Sequence, residues 1–284
     1  MKIRLLSCLL AVTVCLCSFF AAAETLDPNT LLSAACILID AKTGEVLFEK
    51  KADERLAPAS ITKIMTLLIA IEKSNPNEIV TIPKCVQDIA LDSSRVPVFY
   101  GEEMPMRDLW YSLIYRSGND AANAIAELVS GSIEAFVKEM NDKAKELGMT
   151  NTHFMNAHGY TQTGHYTTAR DMAILTSHAL ENDLFREITF SERYTMQPTS
   201  LRGELEIAHN YSITNYESPY YYQYAYGIKT GYTAAAGQCY VGAAVKEDME
   251  LIVVLLRCGW EKMPKWTEAK TLYQYGFKKL NAGS

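Results

Sequence analysis

The chain has 284 residues, 49% of them apolar, with 27 basic residues against 33 acidic ones and a formal charge of −6. That length and apolar share supply a sizeable core and suit one large domain or two lobes. The acidic balance disfavours nucleic acid and anionic membrane surfaces as partners, and seven cysteines in a chain of this size do not make a disulfide scaffold.

Lys2 and Arg4 precede an apolar run over residues 5–20, and Ala21-Ala22-Ala23 then gives way to Glu24. A positive start, an apolar stretch and small residues describe a secretory signal peptide at 1–23. An uncleaved membrane anchor is the alternative, the run being only just long enough to span. Cleavage after Ala23 leaves 25 basic residues against 33 acidic ones, and Cys36, Cys85, Cys239 and Cys258 as the thiols.

Cys36-Ile37-Leu38-Ile39-Asp40, a Gly-containing turn at Ala41-Lys42-Thr43-Gly44, and Glu45-Val46-Leu47-Phe48 predict a β-hairpin. Ser60 then stands at the first turn of a predicted helix. Its residues Ile61, Ile64, Met65, Leu67, Leu68, Ile69 and Ile71 are apolar nearly all round, so the helix is expected to run through the core. Residues 79–101, broken by Pro83 and Pro97, read as short extended pieces. Helices are predicted over 106–115, 121–129 and 133–147, the last stopping at Gly148. Thr168-Ala169-Arg170-Asp171 opens a further helix with a capping box. The tail reads as strands at 226–231, 238–245 and 250–258, closed by an amphipathic helix over 265–280.

Strands at both ends with helices between them imply an α/β (α+β) fold. One antiparallel sheet is built from the N- and C-terminal strands, flanked by helices and carrying an inserted, mainly helical lobe at roughly 65–220. A site is expected in the cleft between the lobes. If the last two strands form a hairpin turning at Asp248-Met249, Cys239 falls opposite Cys258. A disulfide is expected there, with two buried free thiols as the alternative.

Chemistry is suggested first by Ser60-Ile61-Thr62-Lys63. Three residues apart on a helix, the two side chains share a face, so an amine can reach the hydroxyl. A serine hydroxyl is a weak nucleophile until a neighbouring base takes its proton, and the unpaired N–H groups of a helix start favour an oxyanion beside it. Ser-x-x-Lys arises by chance about once in a chain of this length, usually as a cap followed by a surface lysine, so its weight depends on partners. Two appear: Ser117-Gly118-Asn119, in the loop between two predicted helices, and Lys229-Thr230-Gly231, entering a predicted strand. Lys42-Thr43-Gly44 repeats the second motif. That copy occupies a hairpin turn, where Gly serves the turn, and it precedes Ser60, so the copy at 229 is taken as functional.

In the order Ser-x-x-Lys, Ser-x-Asn, Lys-Thr-Gly, these elements are the signature of serine β-lactamases and penicillin-binding proteins. Further matches are Ala57-Pro58-Ala59 before Ser60, Ile64-Met65-Thr66 after Lys63, Asp120-Ala121-Ala122, Leu147-Gly148-Met149 and Asn156-Ala157-His158-Gly159. Gly227-Ile228 before Lys229, Tyr232-Thr233 after Gly231, and Ala236-Gly237-Gln238-Cys239 complete them. With them the sequence strongly resembles the D-alanyl-D-alanine carboxypeptidase family of low-molecular-mass penicillin-binding proteins.

The resemblance implies a β-lactamase/transpeptidase-like fold with a catalytic domain over 24–284. It implies a serine peptidase that removes the terminal D-alanine from peptidoglycan stem pentapeptides, with β-lactam antibiotics as covalent inhibitors. Ser60 resembles the family's nucleophile, Lys63 its general base and Ser117 its proton relay to the leaving amine. By the same resemblance Asn119 holds the substrate amide, and Lys229 and Thr230 bind the terminal carboxylate. Gly231 lets the substrate lie against the strand, and the N–H groups of Ser60 and Tyr232 form an oxyanion hole. The location implied is exported, on the cell-wall side, secreted or loosely membrane-associated. Many members continue into a β-rich second domain and an amphipathic C-terminal anchor; this sequence stops at Ser284, as a short form or a truncated one, and neither is visible in it.

No cofactor, metal or nucleic acid is expected. His153, His158 and His165 have no ligand spacing, and His158-Gly159 reads as structure near the cleft. Residues 211–226 hold seven tyrosines, read either as an aromatic lip for substrate or as a loop packing its own rings. A serine β-lactamase is an alternative, although no motif places a deacylating glutamate and Gly118 replaces the acidic middle residue of Ser-Asp-Asn. A non-catalytic muropeptide-binding protein is another.

Overall fold

The computed structural model describes residues 26–259 and 263–283; the predicted signal peptide at 1–23 lies outside the described residues. In chain order the elements are β1 (Ala35–Asp40), β2 (Val46–Lys50), α1 (Lys63–Lys73), β3 (Ile79–Thr81), β4 (Glu103–Pro105), α2 (Met106–Tyr115), α3 (Asn119–Ser130) and α4 (Ile133–Glu146). There follow α5 (Ala169–Ala179), α6 (Asp183–Phe190), β5 (Arg193–Met196), β6 (Leu205–Ala208), β7 (Ala225–Thr233), β8 (Gly237–Lys246), β9 (Met249–Cys258) and α7 (Pro264–Gly283).

The central sheet has the order β2-β1-β9-β8-β7, and every pairing is antiparallel. β1 lies beside β9, with Ile37 opposite Val254, so the two ends of the chain close one sheet and the residues between form a helical lobe on one face. β3–β4 and β5–β6 are two-stranded hairpins within that lobe.

Side-chain alternation divides the core in two. Ile37, Ile39, Val241, Ala243, Ile252 and Val254 pack toward α1 and the lobe. Cys36, Leu38, Tyr240, Leu251, Val253 and Leu255 pack under Trp266, Leu272, Tyr273 and Phe277 of α7. Strands covered on both faces read as unbroken apolar runs, as β9 does. Helix α1 is buried at every position from Lys63 to Ile71, which is why its sequence shows no polar face.

Three features differ from the sequence reading. Ser60 is not on the first α-helical turn: Ala59–Thr62 is a 3-10 turn and α1 begins at Lys63. Only half of the capping box at Thr168 forms. The Thr168 hydroxyl accepts from Asp171 N at 3.0 Å, while the Asp171 carboxylate instead accepts from Asn151 N at 2.8 Å and Thr152 Oγ1 at 2.7 Å. Helix α6 and the β5–β6 hairpin carry no predicted element. They are held by tertiary contacts: Arg202 pairs with Glu102 at 3.0 Å, Tyr194 donates to Asp108 at 2.6 Å, and Tyr194 stacks on Tyr111 with centroids 3.8 Å apart.

The expected Cys239–Cys258 disulfide is corrected: all four described cysteines are free and buried. Gln238, not Cys239, stands opposite Cys258, and the register shifts before Tyr240 pairs with Leu255. Arg257 has φ +51°, a left-handed residue that makes a β-bulge and reverses the face of the residue after it. Cys239 therefore packs toward the lobe and Cys258 toward α7. Alkylation of the chain in denaturant without reductant should add four groups to these positions by intact mass; two would restore the disulfide.

Candidate active site

The residue before Ser60 sets the geometry. Ala59 has φ +49°, a conformation costing an ordinary L-residue about 1–2 kcal/mol, and the surroundings hold it. Its carbonyl accepts from Thr62 Oγ1 at 2.9 Å, and Thr62 Oγ1 lies 3.0 Å from His165 Nε2. His165 Nδ1 accepts from Met155 N at 3.2 Å, so the ring proton is on Nε2 and points to Thr62. Burial lowers the His165 pKa to about 4, which keeps this relay of hydrogen bonds neutral.

Lys63 lies directly beneath the serine, with a relative exposure of 0%. Its Nζ is 3.0 Å from Ser60 Oγ, 2.8 Å from Asn119 Oδ1 and 2.7 Å from the His158 carbonyl. Burial, with Lys229 nearby, pushes its pKa well below the ordinary lysine value, and Asp120 opposes the shift. A neutral amine has two N–H donors and one lone pair. The amide and carbonyl oxygens can only accept, so they take the two N–H groups. The lone pair is left facing the one partner that carries a proton, the Ser60 hydroxyl.

The start of α3 supplies the next wall. Ser117 is also left-handed, at φ +56°, and Gly118 follows because a side chain cannot fit there. A Cβ would lie 2.7 Å from Asp120 Oδ1 and 2.8 Å from Val96 Cγ2. Burial raises the Asp120 pKa to about 6. Its carboxylate accepts from Val96 N at 2.9 Å and from Ala121 N at 2.9 Å. Asn119 donates from Nδ2 to Ser93 Oγ at 3.0 Å and from its backbone to the Ser94 carbonyl at 2.9 Å. The loop around residues 93–96 is thus fastened to the Ser117-Gly118-Asn119 turn.

β7 forms the opposite wall at the sheet edge. Its pairing with β8 shifts register between Gly227 and Lys229, and bulges re-aim the residues beside them. Tyr211, whose ring covers Gly227, donates to the Ile228 carbonyl at 3.2 Å, which fixes the bulge. Lys229 is 1% exposed; burial, with Lys265 nearby, lowers its pKa to about 7. The site for a Cβ on Gly231 is 2.8 Å from Ser60 N, so strand and turn meet backbone to backbone. The other Lys-Thr-Gly copy lies in the exposed β1–β2 turn, with Gly44 at φ +73°.

Two cavities open along this line. One, of about 460 Å³, is lined by Ser60, Asn119, Tyr232, Asp92 and Tyr160. The other, of about 440 Å³, is lined by Ser117, Lys229, Thr230, Arg95 and Arg116. Six of the eight residues named from the sequence line these cavities, and Lys63 and Gly231 adjoin Ser60, although the Ser117 hydroxyl is not among the hydrogen-bond partners of Lys63. The sequence reading missed the His158 carbonyl, the 92–96 loop and Arg116. The Asn156-Ala157-His158-Gly159 match was the signal for the first of these: Asn156 Oδ1 accepts from Gly159 N at 2.7 Å and Nδ2 donates to the Tyr160 carbonyl at 3.0 Å. His158 itself is neutral, its pKa lowered by burial to about 3. Among the described residues no group of three His, Cys, Asp or Glu side chains is arranged to hold a metal. The tyrosine-rich segment mainly packs: Tyr222 stacks on Tyr273 at 6.1 Å and Tyr226 on Phe190 at 4.2 Å.

A family described as D-alanyl-D-alanine carboxypeptidase matches residues 22–258. The chain is 38% identical over 225 residues to D-alanyl-D-alanine carboxypeptidase DacF of Bacillus subtilis, covering 78% of this chain and 56% of that protein. It is 36% identical over 274 residues to D-alanyl-D-alanine carboxypeptidase DacC of Escherichia coli, covering 91% and 64%. The chain thus spans less than two thirds of the length of these relatives. The solved Streptomyces K15 DD-transpeptidase superposes with a TM-score of 0.81 at 29% identity, covering 89% of this chain and 100% of that one. The D-alanyl-D-alanine carboxypeptidase of Mycobacterium tuberculosis does so at 0.81 and 28%, covering 91% and 95%. The fold is accordingly of the β-lactamase/transpeptidase-like kind.

Gly159 has φ +87°, and a Cβ there would fall 1.9 Å from the Ala59 carbonyl oxygen. Gly159→Ala should lower stability by about 3 kcal/mol or more in urea unfolding; an unchanged midpoint would contradict this packing of the loop on the turn.

Proposed function

Because the chain belongs to the D-alanyl-D-alanine carboxypeptidase family, we propose that it is a serine-type D-Ala-D-Ala carboxypeptidase, with residues 24–284 as its catalytic domain and the helical lobe at roughly 65–220. Its substrate is the peptidoglycan stem peptide ending in D-Ala-D-Ala, and its place is outside the cytoplasm, on the cell-wall side. The single observation that carries the reading is the buried Lys63 amine 3.0 Å from Ser60 Oγ.

In this reading Ser60 Oγ attacks the carbonyl of the penultimate D-alanine as its proton passes to Lys63 Nζ, a transfer typically worth 10²–10⁴-fold. The N–H groups of Ser60 and Tyr232 stabilise the oxyanion, one such donor being worth about 3 kcal/mol. Ser117 relays a proton to the departing amine, the terminal D-alanine leaves, and water hydrolyses the ester on Ser60. The free edge of β7 at Gly231 takes the substrate as an added strand, with Asn119 on its amide. Lys229 and Thr230, in the cavity that also holds Arg95 and Arg116, bind the terminal carboxylate. A β-lactam enters the same attack, but its leaving group stays tethered. Among the described residues no glutamate lines the Ser60 cavity, and the penicilloyl ester is expected to persist.

Intact mass after mixing with benzylpenicillin should show one stable adduct, absent in Ser60→Ala. Rapid penicillin loss with no lasting adduct would favour a β-lactamase instead, and no reaction would favour a binding protein. A second expectation follows from the two lysines. Lys63 acts when neutral, so the rate rises as pH climbs through its depressed pKa. Lys229 acts when charged, so the rate falls as pH climbs through about 7. The profile of kcat/KM should be a bell whose alkaline limb is centred near pH 7; a rate still rising at pH 9 would contradict the assignment.

A further inference from the structure

The two cavities differ in charge. The leaving-group side carries Arg95, Arg116 and Lys229. On the other side, Asp92 is, among the described residues, the one charged side chain in the lining of the Ser60 cavity, amid hydroxyl groups and aromatic rings. Its carboxylate is held in place: Tyr160 donates its phenol to Oδ1 at 3.1 Å, with Oδ2 at 3.4 Å. This contact ties the 92–96 loop to the segment carrying His158. Thr161 donates to Thr233 at 2.8 Å and closes the other side of the cavity against the end of β7. The cavity is therefore framed by two cross-links, and its charged group is oriented by one of them.

We propose that Asp92 is a specificity-determining residue that receives an ammonium-bearing side chain on the acyl side of the scissile bond, so that peptides with a free side-chain amine before D-Ala-D-Ala are preferred. This rests on the carboxypeptidase reading. If the terminal carboxylate occupies the cationic cavity, the rest of the peptide runs the other way, past Ser60 and into the cavity with the acid. The chemistry fits a single ammonium, whose three donors can use the second carboxylate oxygen and nearby hydroxyls while its charge rests against the Tyr160 ring. It does not fit a hard divalent cation, which needs six or more oxygens.

The test compares D-alanine release from Nα-acetyl-L-lysyl-D-Ala-D-Ala with release from its Nε-acetylated form. The protein should prefer the free amine by about five- to tenfold in kcat/KM, as expected for a charge-assisted contact at a partly exposed site, with the ratio falling as salt rises. In Asp92→Asn the ratio should fall to within about twofold of one, Asp92→Glu should restore a preference, and Tyr160→Phe should give an intermediate ratio. Benzylpenicillin adduct formation checks that each variant keeps an intact site. Release from both peptides at equal rates, or a preference that survives Asp92→Asn, overturns this inference alone. No release from either peptide overturns the carboxypeptidase reading and this inference with it.

Discussion

The site depends on keeping an amine dry without giving it a carboxylate in contact. A lysine in the interior pays heavily for charge, and a directly paired acid would restore that charge and spend the lone pair. Lys63 is instead surrounded by three oxygens, only one of which carries a proton. Those oxygens come from a 3-10 turn, the start of α3 and a loop some ninety residues further along, so three separate segments must meet within hydrogen-bond distance of one nitrogen. Asp120, the nearest acid in sequence to Asn119, has its carboxylate engaged by the Val96 and Ala121 amides.

That convergence explains where the backbone is strained. Among the described residues, Ala59 and Ser117 are two of the six non-glycine residues with positive φ, and they stand beside Ser60 and at the head of Ser117-Gly118-Asn119. Each turns the chain so that a side chain faces inward from a tightly packed segment, and strain of this kind persists only where the surroundings over-determine it. The sheet contributes by irregularity as well. The bulge before Lys229 re-aims that side chain in β7, and the one at Arg257 reverses the face of Cys258 in β9. A regular sheet would have neither.

Much of the fold was legible because burial leaves a simple pattern: α1 reads as apolar all round, β8 and β9 as apolar runs, and α2 to α4 as periodic stretches with clear ends. Ser60 and Lys63 were legible because spacing along a turn fixes which side chains meet. That Lys229-Thr230-Gly231 rather than Lys42-Thr43-Gly44 lies beside Ser60 was legible because the other copy occupies a hairpin turn. What could not be read were features set by contacts between distant segments or by a single dihedral angle. The His158 carbonyl is a backbone group with no residue-type signal, and the hold of Asn119 on Ser93 joins segments 26 residues apart. One left-handed residue at 257 was enough to move Cys258 off the face expected from strict alternation. The β5–β6 hairpin was missed because buried ion pairs, rather than strand propensity, hold it.

β7 is an edge strand, and Gly231 within it packs against the turn that carries Ser60. Proteins usually protect such edges with proline, inward lysine or a covering segment, but each of these would close the groove beside Ser60. The 3-10 turn meets β7 at Gly231, and Tyr232, next along, is 50% exposed. An edge strand accepts any extended chain that pairs with it, including a neighbouring copy that is partly unfolded. At high concentration or during refolding, self-association is expected to begin at this edge, and an occupant of the groove should suppress it, acting as a solubiliser as well as a ligand.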